Sequence, residues 1–155
     1  MRRMRNVALE IAIEFIARFI TEEYAIAGSL RRKEETVGDV DIIVSESLDA
    51  IMKRFEKDIK VKKVNGGEKK MDVDYKGMRF NIYHSELGSW GAMLFFLTGP
   101  AGYNIAYRKR AKMMGLKLDQ YGLWNRYNEL IASRTEENIY KALGKLYKEP
   151  ELRGK

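Results

Sequence analysis

The sequence predicts an α+β protein, with a mixed β-sheet packed by helices in residues 1–86 and a small lobe of helices and a β-hairpin in residues 87–155. Two observations predict this class. Short strand-like runs alternate with amphipathic stretches up to residue 84, and two helix-like stretches follow between residues 90 and 114. The chain has 155 residues, of which 45% are hydrophobic and 33% charged, so it is long enough to bury a real core.

The first part begins with a helix, because apolar residues recur at helical spacing at Val7, Ile11, Phe15, Ile16 and Phe19. β-branched and apolar runs bounded by turn residues predict the strands that follow. In chain order, the expected elements are a helix over 4–21, strands over 25–27 and 39–44, a helix over 47–57, a strand over 59–64 and a turn at 65–67.

Residues 70–75 and 78–84 predict two further strands, joined by the pair Lys76-Gly77. A two-residue turn at this pair would make the strands a hairpin and would place Asp72 directly opposite Asn81.

The second part is richer in helix. In chain order, the expected elements are an apolar helix over 90–97, a basic helix over 101–114 that ends at Gly115, a hairpin of residues 116–124 with 129–131, and a last helix capped by Ser133. Pro150 is expected to end regular structure near the tail.

Composition narrows the function classes. The absence of cysteine excludes disulfides, zinc–thiolate sites and cysteine nucleophiles, and the single histidine, His84, excludes multi-histidine metal sites. Glu10 and Glu14 interrupt the first apolar stretch, so we expect no signal peptide and no membrane span. A cytoplasmic location is then the default expectation, and the chain is separately expected to be a monomer. The net charge of +7 is clustered at residues 57–70 and 108–117, which indicates nucleic acid as a partner, with a solvated basic surface as the alternative.

The most informative stretch joins a turn, Gly28-Ser29, to the acids Asp39 and Asp41 at the start of an apolar run. Strand residues alternate faces, so the two carboxylates point the same way and repel each other unless a cation lies between them. Oxygen ligands suit Mg²⁺, which binds one or two carboxylates together with substrate phosphates. The turn and nearby Arg32 can bind phosphate oxygens. The pattern indicates a site for a metal-bound nucleoside triphosphate; a plain turn before a strand with solvated acids is the alternative.

This spacing resembles the nucleotidyltransferase signature of the family X DNA polymerases, the polymerase-beta superfamily. The resemblance implies a catalytic palm in residues 1–86 and a thumb-like nucleotide- and template-binding lobe in residues 87–155. It implies template-directed addition of a deoxynucleotide to a primer 3′-hydroxyl, with a DNA primer–template and a deoxynucleoside triphosphate as partners. The implied ligands of two Mg²⁺ ions, which Mn²⁺ could replace, are Asp39 and Asp41, and the implied triphosphate contacts are Gly28, Ser29, Arg32 and Gly38.

The family has a third Asp on a later strand, and Asn81 stands at the matching position beside the catalytic pair Asp39 and Asp41. An amide cannot become anionic, so it ligates Mg²⁺ weakly and cannot act as a base. Asn81 is therefore either an introduced change that blocks chemistry or a natural residue that accompanies reduced, lost or rescued activity. Asp72 would be the rescuing carboxylate if the hairpin register holds.

The run from residue 96 to residue 108 also resembles the family. The resemblance implies a Thr-Gly turn beside the incoming sugar, with two bulky residues that select deoxyribose and an amide at the minor-groove edge of the incoming base. The implied nucleotide contacts are Phe96, Leu97, Thr98, Gly99 and Asn104, and the implied nucleic-acid contacts are Arg108, Lys109, Arg110 and Lys112. Without the upstream signature, Asn104 would be a surface polar residue and Arg108 part of a solvated basic helix face.

Two departures from the family pattern carry expectations. Val37 stands where the family often has a small hydroxyl residue, so one triphosphate contact is expected to be missing. No amino-terminal helix-hairpin-helix domain precedes the palm, so lyase activity is expected to be absent. Two other classes stay open: nucleotidyl transfer to another acceptor, such as an RNA end, a protein or a small molecule, and binding of nucleotide or DNA without catalysis.

Overall fold

The computed structural model describes residues 2–56, 58 and 60–155, with Val64 described by its backbone alone. It has the predicted α+β class and divides into two compact units, Met1–Ser85 and Glu86–Lys155. Lys57, in the predicted basic cluster, and Ile59, the predicted start of a strand, lie outside the described residues. No helix in the described part of the chain is long and apolar enough to cross a membrane.

The first unit is built around a five-stranded sheet in the order β2-β4-β7-β6-β5. Strands β4 and β7 are parallel, and the other neighbours are antiparallel. The elements are β1 Arg3–Met4, α1 Arg5–Phe19, β2 Tyr24–Ala27, α2 Gly28–Arg31, β3 Thr36–Val37, β4 Asp39–Val44, α3 Leu48–Phe55, β5 Val61–Gly66, β6 Lys70–Tyr75 and β7 Met78–His84. Strands β1 and β3 form a separate antiparallel pair.

Helix α1 packs on one face of this sheet, where the rings of Phe15 and Phe80 stack with centroids 4.4 Å apart. The buried face of α1 is partly different from the one predicted, because Ala8 and Ala12 are fully buried while Val7 is exposed. Small side chains let the helix approach the core closely. Alternation along β4 and β7 buries every second residue and turns the intervening polar ones to the opposite face, which carries the site.

The predicted hairpin of β6 and β7 is confirmed, including the pairing of Asp72 with Asn81. Lys76 and Gly77 both have positive φ, 49° and 76°, as a two-residue hairpin turn of this hand requires. The predicted turn at residues 65–67 is wrong in part. Strand β5 continues through Gly66, with an irregular register between Lys63 and Asn65 that carries the pairing past the expected end.

The second unit contains three α-helices, two 3₁₀ turns and a three-stranded sheet in the order β10-β9-β8. Its elements are a 3₁₀ turn Leu87–Ser89, α4 Trp90–Thr98, α5 Ala101–Met113, β8 Lys117–Asp119, β9 Gly122–Trp124, β10 Leu130–Ala132, α6 Glu136–Ala142 and a 3₁₀ turn Pro150–Leu152. The aromatic rings of Phe95, Tyr103 and Tyr140 lie in its core.

Of two local predictions for the second unit, one is confirmed in part and one is wrong. The predicted pairing of residues up to 124 with 129–131 is confirmed, because β9 and β10 are antiparallel. The run 116–124 is not one strand but a further hairpin, in which one Asp119 carboxylate oxygen accepts hydrogen bonds from the backbone of Tyr121 and Gly122 and from the indole of Trp124. The last helix is capped by Thr135, whose hydroxyl accepts a bond from the Asn138 backbone. Ser133 is buried instead, and its hydroxyl donates to the Gly88 carbonyl at 2.6 Å.

Candidate active site

A close approach between Gly28 and Asp41 organises the candidate site. Strands β2 and β4 are antiparallel and pair Ala27 with Asp41, so the chain turns into α2 directly beside this carboxylate. Gly28 has a φ of +62°, and a Cβ added there would lie 3.0 Å from the Asp41 carboxyl carbon, with one carboxylate oxygen nearer still. Glycine is required at this position for both the backbone conformation and the space.

Asp39, Asp41 and Asn81 meet on the polar face of the sheet, as the sequence predicts. The register of β4 and β7 pairs Asp41 with Asn81. The Asn81 side-chain nitrogen donates to Asp41 Oδ1 at 2.9 Å and to Asp39 Oδ2 at 3.3 Å, so the two carboxylates converge on one amide. Burial raises the pKa of Asp41, the bond from Asn81 opposes that rise, and the negative charge of Asp39 adds to it.

Asp72 lies on the same face, opposite Asn81, but it has its own partner. One of its carboxylate oxygens lies 3.6 Å from the ammonium nitrogen of Lys70. Among the residues that the structure describes, no three Asp, Glu or His side chains are placed to hold a metal together. Asp72 therefore does not complete a three-carboxylate set with Asp39 and Asp41.

The residues expected to hold the triphosphate lie around the same turn. Ser29 is half-buried in α2, and Arg32 follows the end of that helix, where its Nε lies 3.4 Å from Glu34 Oε1. The positive charge of Arg32 lowers the pKa of Asp41, although less than burial raises it. Gly38 connects β3 to β4 immediately before Asp39.

The apolar residue at position 37 has a structural explanation. Val37 is fully buried and pairs with Arg3 in the small β1–β3 ladder. Its side chain is a core residue of the first unit and offers no donor to a phosphate.

The donor set suits a hard divalent cation such as Mg²⁺. Asp39, which is exposed, and Asp41, which is half-buried, present carboxylate oxygens on one face of the sheet, and phosphate oxygens of a nucleotide would supply the remaining ligands. Sequence reasoning missed Lys70 and Arg79, which share this face and hold Asp72 and Asp74 respectively. The signal was available, because each lies two residues from a site position on its own strand.

In the second unit, the predicted nucleotide contacts surround the junction of α4 and α5. Phe96 is exposed, Leu97 is half-buried and Thr98 is fully buried. Gly99 has a φ of +62° and precedes a cis peptide bond to Pro100.

Asn104 is buried, so the alternative that made it a surface residue is wrong. Its side-chain nitrogen donates to the Phe96 carbonyl at 2.7 Å, which ties α5 back to α4. Within the described part of the chain, its amide oxygen has no hydrogen-bond partner.

The basic residues of α5 separate into two groups. Arg108, Lys109 and Lys112 are exposed, as a nucleic-acid contact requires. Arg110 is half-buried, and its Nε donates to the Leu143 carbonyl at 2.7 Å, which links α5 to the end of α6. Arg110 thus has a structural bond that its place in a basic run does not reveal.

Comparisons with known proteins agree with this geometry. Residues 93–154 match the family model described as DNA polymerase beta thumb. The chain is 26% identical to the repair DNA polymerase X of African swine fever virus strain Badajoz, over 97% of this chain and 94% of that protein. It is 28% identical, over the same shares, to the repair DNA polymerase X of the virus isolate Warthog/Namibia/Wart80.

The similarity to a cellular polymerase covers a smaller part of both chains. The chain is 24% identical to DNA polymerase lambda of Rattus norvegicus, over 79% of this chain and 27% of that protein. The thumb match, the near full-length similarity to viral repair polymerases and the acid pair packed on Gly28 all agree with the resemblance of this chain to the family X DNA polymerases.

Proposed function

We propose that this chain is a template-directed DNA polymerase that transfers a deoxynucleotide from its triphosphate to a primer 3′-hydroxyl. The observation that carries the proposal is the packing of Gly28 against Asp41, which aims that carboxylate and Asp39 at one point beside the turn into α2. A site for polyphosphate and a divalent cation needs this combination of converging carboxylates and a close backbone turn.

In this proposal, Ser29 and Arg32 bind the triphosphate oxygens, and Asp39 and Asp41 hold Mg²⁺, which supplies charge neutralisation of the phosphates when bound. The primer 3′-oxygen forms a bond to the α-phosphorus while the bond to the β-phosphate oxygen breaks, and pyrophosphate leaves. Asn81 cannot accept the 3′-hydroxyl proton, because an amide has no basic site at neutral pH, so that proton passes to water. Positioning and charge then supply most of the rate enhancement.

The second unit would bind the incoming nucleotide and the template. Phe96 and Leu97 would crowd the 2′ position of the sugar, and Arg108 would contact the template strand. The Asn104 nitrogen has two N–H donors, so it could donate to the minor-groove edge of a base while it keeps its bond to the Phe96 carbonyl. The exposed cations of α5 would bind phosphates, so affinity should fall as salt rises.

A second function is favoured by one observation. Asn81 bonds to both acids at the position where the family has a third Asp, which suits a protein that binds nucleotide and DNA with little turnover. Primer extension distinguishes the two functions. The assay uses a recessed primer–template, each deoxynucleoside triphosphate in turn, and Mg²⁺ or Mn²⁺, beside Mg²⁺-dependent binding of the same nucleotides.

The decisive comparison is between Asp41→Asn, Asn81→Asp and a control variant, Glu10→Gln, on the exposed face of α1. A polymerase should lose extension in Asp41→Asn, keep it in Glu10→Gln, and gain it strongly in Asn81→Asp. Extension by the Asp41→Asn variant at the rate of the unmodified chain would refute the proposal. Nucleotide binding without extension, in the unmodified chain and in Asn81→Asp, would favour the binding protein, and adenylylation of a small-molecule acceptor would favour another transferase. The cytoplasmic location and the monomeric state expected from the sequence stay predictions.

A further inference from the structure

The amide of Asn81 occupies the position between the two carboxylates where a cation would bind. Its nitrogen lies 2.9 Å from Asp41 Oδ1 and 3.3 Å from Asp39 Oδ2. The donor orientation is the stable one, because an amide oxygen in the same place would bring three acceptors together without a proton. The Asn81 nitrogen therefore screens the repulsion between the acids by two hydrogen bonds.

The two oxygens of Asp41 have different surroundings. Oδ1 accepts the bond from Asn81, and Oδ2 faces Gly28, where an added Cβ would come too close to it. A cation that binds between Asp41 Oδ1 and Asp39 Oδ2 must therefore take the place of the Asn81 nitrogen. Asp39 is exposed and keeps its second oxygen available to the same cation.

The protein also supplies too little negative charge for two ions. In the residues that the structure describes, no third acid or histidine joins Asp39 and Asp41, and Asp72 lies in an ion pair with Lys70. Two divalent ions in a phosphoryl-transfer site lie roughly 3.5–4 Å apart and repel each other strongly. Two carboxylates offset the charge of one such ion, and a second ion would find no further carboxylate ligand beside them in the described part of the chain.

We propose that Asn81 restricts this site to a single divalent cation and competes with that cation through its amide nitrogen. The inference rests on the proposed nucleotide-binding function and assigns to Asn81 a specific effect on it. The residue is then more than a missing ligand, because its hydrogen bonds must be broken before the site can load.

The test counts ions by the electron paramagnetic resonance of free Mn²⁺. Titrations use the full chain, with and without a deoxyadenosine triphosphate analogue that has a methylene group between the α- and β-phosphates. The nucleotide alone corrects for its own Mn²⁺ binding. The variants are Asn81→Asp, which adds a carboxylate, and Asn81→Ala, which removes the amide, and thermal melting confirms that each one folds.

We expect one Mn²⁺ per chain–nucleotide complex in the unmodified chain and two in Asn81→Asp. Without nucleotide, Asn81→Ala should bind Mn²⁺ roughly ten-fold more tightly than the unmodified chain, because hydrogen bonds to charged groups no longer compete. Two ions in the unmodified chain would overturn this inference alone, as would a single ion in Asn81→Asp. Weaker Mn²⁺ binding by Asn81→Ala would overturn it too, since the amide would then be a ligand. Absence of any nucleotide-linked Mn²⁺ uptake would overturn the proposed function and this inference with it.

Discussion

Replacement of Gly28 by alanine should have two effects that can be measured separately. It should strain the backbone of the turn, and it should displace the Asp41 carboxylate. The new methyl group would lie 3.0 Å from the Asp41 carboxyl carbon and nearer to one of its oxygens. Ordinary contacts begin near 3.5 Å, so the carboxylate would have to move by roughly 1 Å. The backbone would also hold a non-glycine residue at a φ of +62°.

Each effect has its own magnitude. The left-handed conformation destabilises a residue with a Cβ by roughly 1–2 kcal/mol, which lowers the melting temperature of a chain of this size by roughly 2–8 °C. A displacement of about 1 Å at a reacting group can lower catalysis by roughly 10²-fold. Gly28→Ala should therefore show a modest loss of stability and a large loss of nucleotide incorporation.

Gly115 supplies the matched control. It has a φ of +75°, and a Cβ there would meet no atom within 4 Å among the described residues. Gly115→Ala should lose a similar amount of stability and keep its incorporation rate. The assays are thermal melting, single-turnover incorporation on a recessed primer and nucleotide-linked Mn²⁺ affinity. Equal incorporation rates in the two variants would refute the argument that Gly28 positions Asp41.

Three further predictions concern both units. Arg153 is fully buried with Nη1 2.7 Å from Glu136 Oε2, so Arg153→Ala should lower the free energy of unfolding by about 3–5 kcal/mol in urea titrations, because it removes the cation from a buried carboxylate. Adding Glu136→Leu should recover much of that loss, and no recovery would rule out the electrostatic cause. Burial raises the pKa of Asp41 in the folded chain above its value in the unfolded chain. The free energy of unfolding therefore decreases as pH rises from the unfolded-chain pKa through the folded-chain pKa. Asp41→Asn should therefore raise the melting temperature in metal-free buffer at neutral pH and leave it unchanged near about pH 3; the opposite trend would contradict that sign. Arg108→Ala should reduce the slope of log affinity against log salt for DNA by about 1, whereas Arg110→Ala should mainly lower stability through its lost bond to Leu143; identical slopes in Arg108→Ala and the unmodified chain would exclude a phosphate contact.

The predictions that rest on a fixed residue period along a strand are confirmed by the structure. The period of two along β6 and β7, with a Lys-Gly turn between them, was enough to predict that Asp72 faces Asn81. The same period placed Asp39 and Asp41 on one face. Neither inference needed any knowledge of packing.

Features made by individual side-chain bonds could not be predicted in the same way. The hairpin at residues 117–124 depends on one Asp119 oxygen that accepts three hydrogen bonds, and the start of α6 depends on Thr135 rather than Ser133. Both serine and threonine are good caps, so only the burial of Ser133 against Gly88 decides between them. At the site, the sequence shows that residue 81 is an asparagine, but it could not predict that the side-chain nitrogen donates to both Asp39 and Asp41.

The parallel pairing of β4 with β7 joins segments that are about forty residues apart in the chain, whereas β6 and β7 form a local hairpin. Non-local strand pairs are slow to assemble because a long loop must close first, so the hairpin can be in place before the acids of β4 reach Asn81. A partly assembled first unit would thus lack the cluster of Asp39, Asp41 and Asn81. Any ligand that needs β4 and β7 together will bind only chains in which the sheet is complete, and it will favour complete chains by mass action.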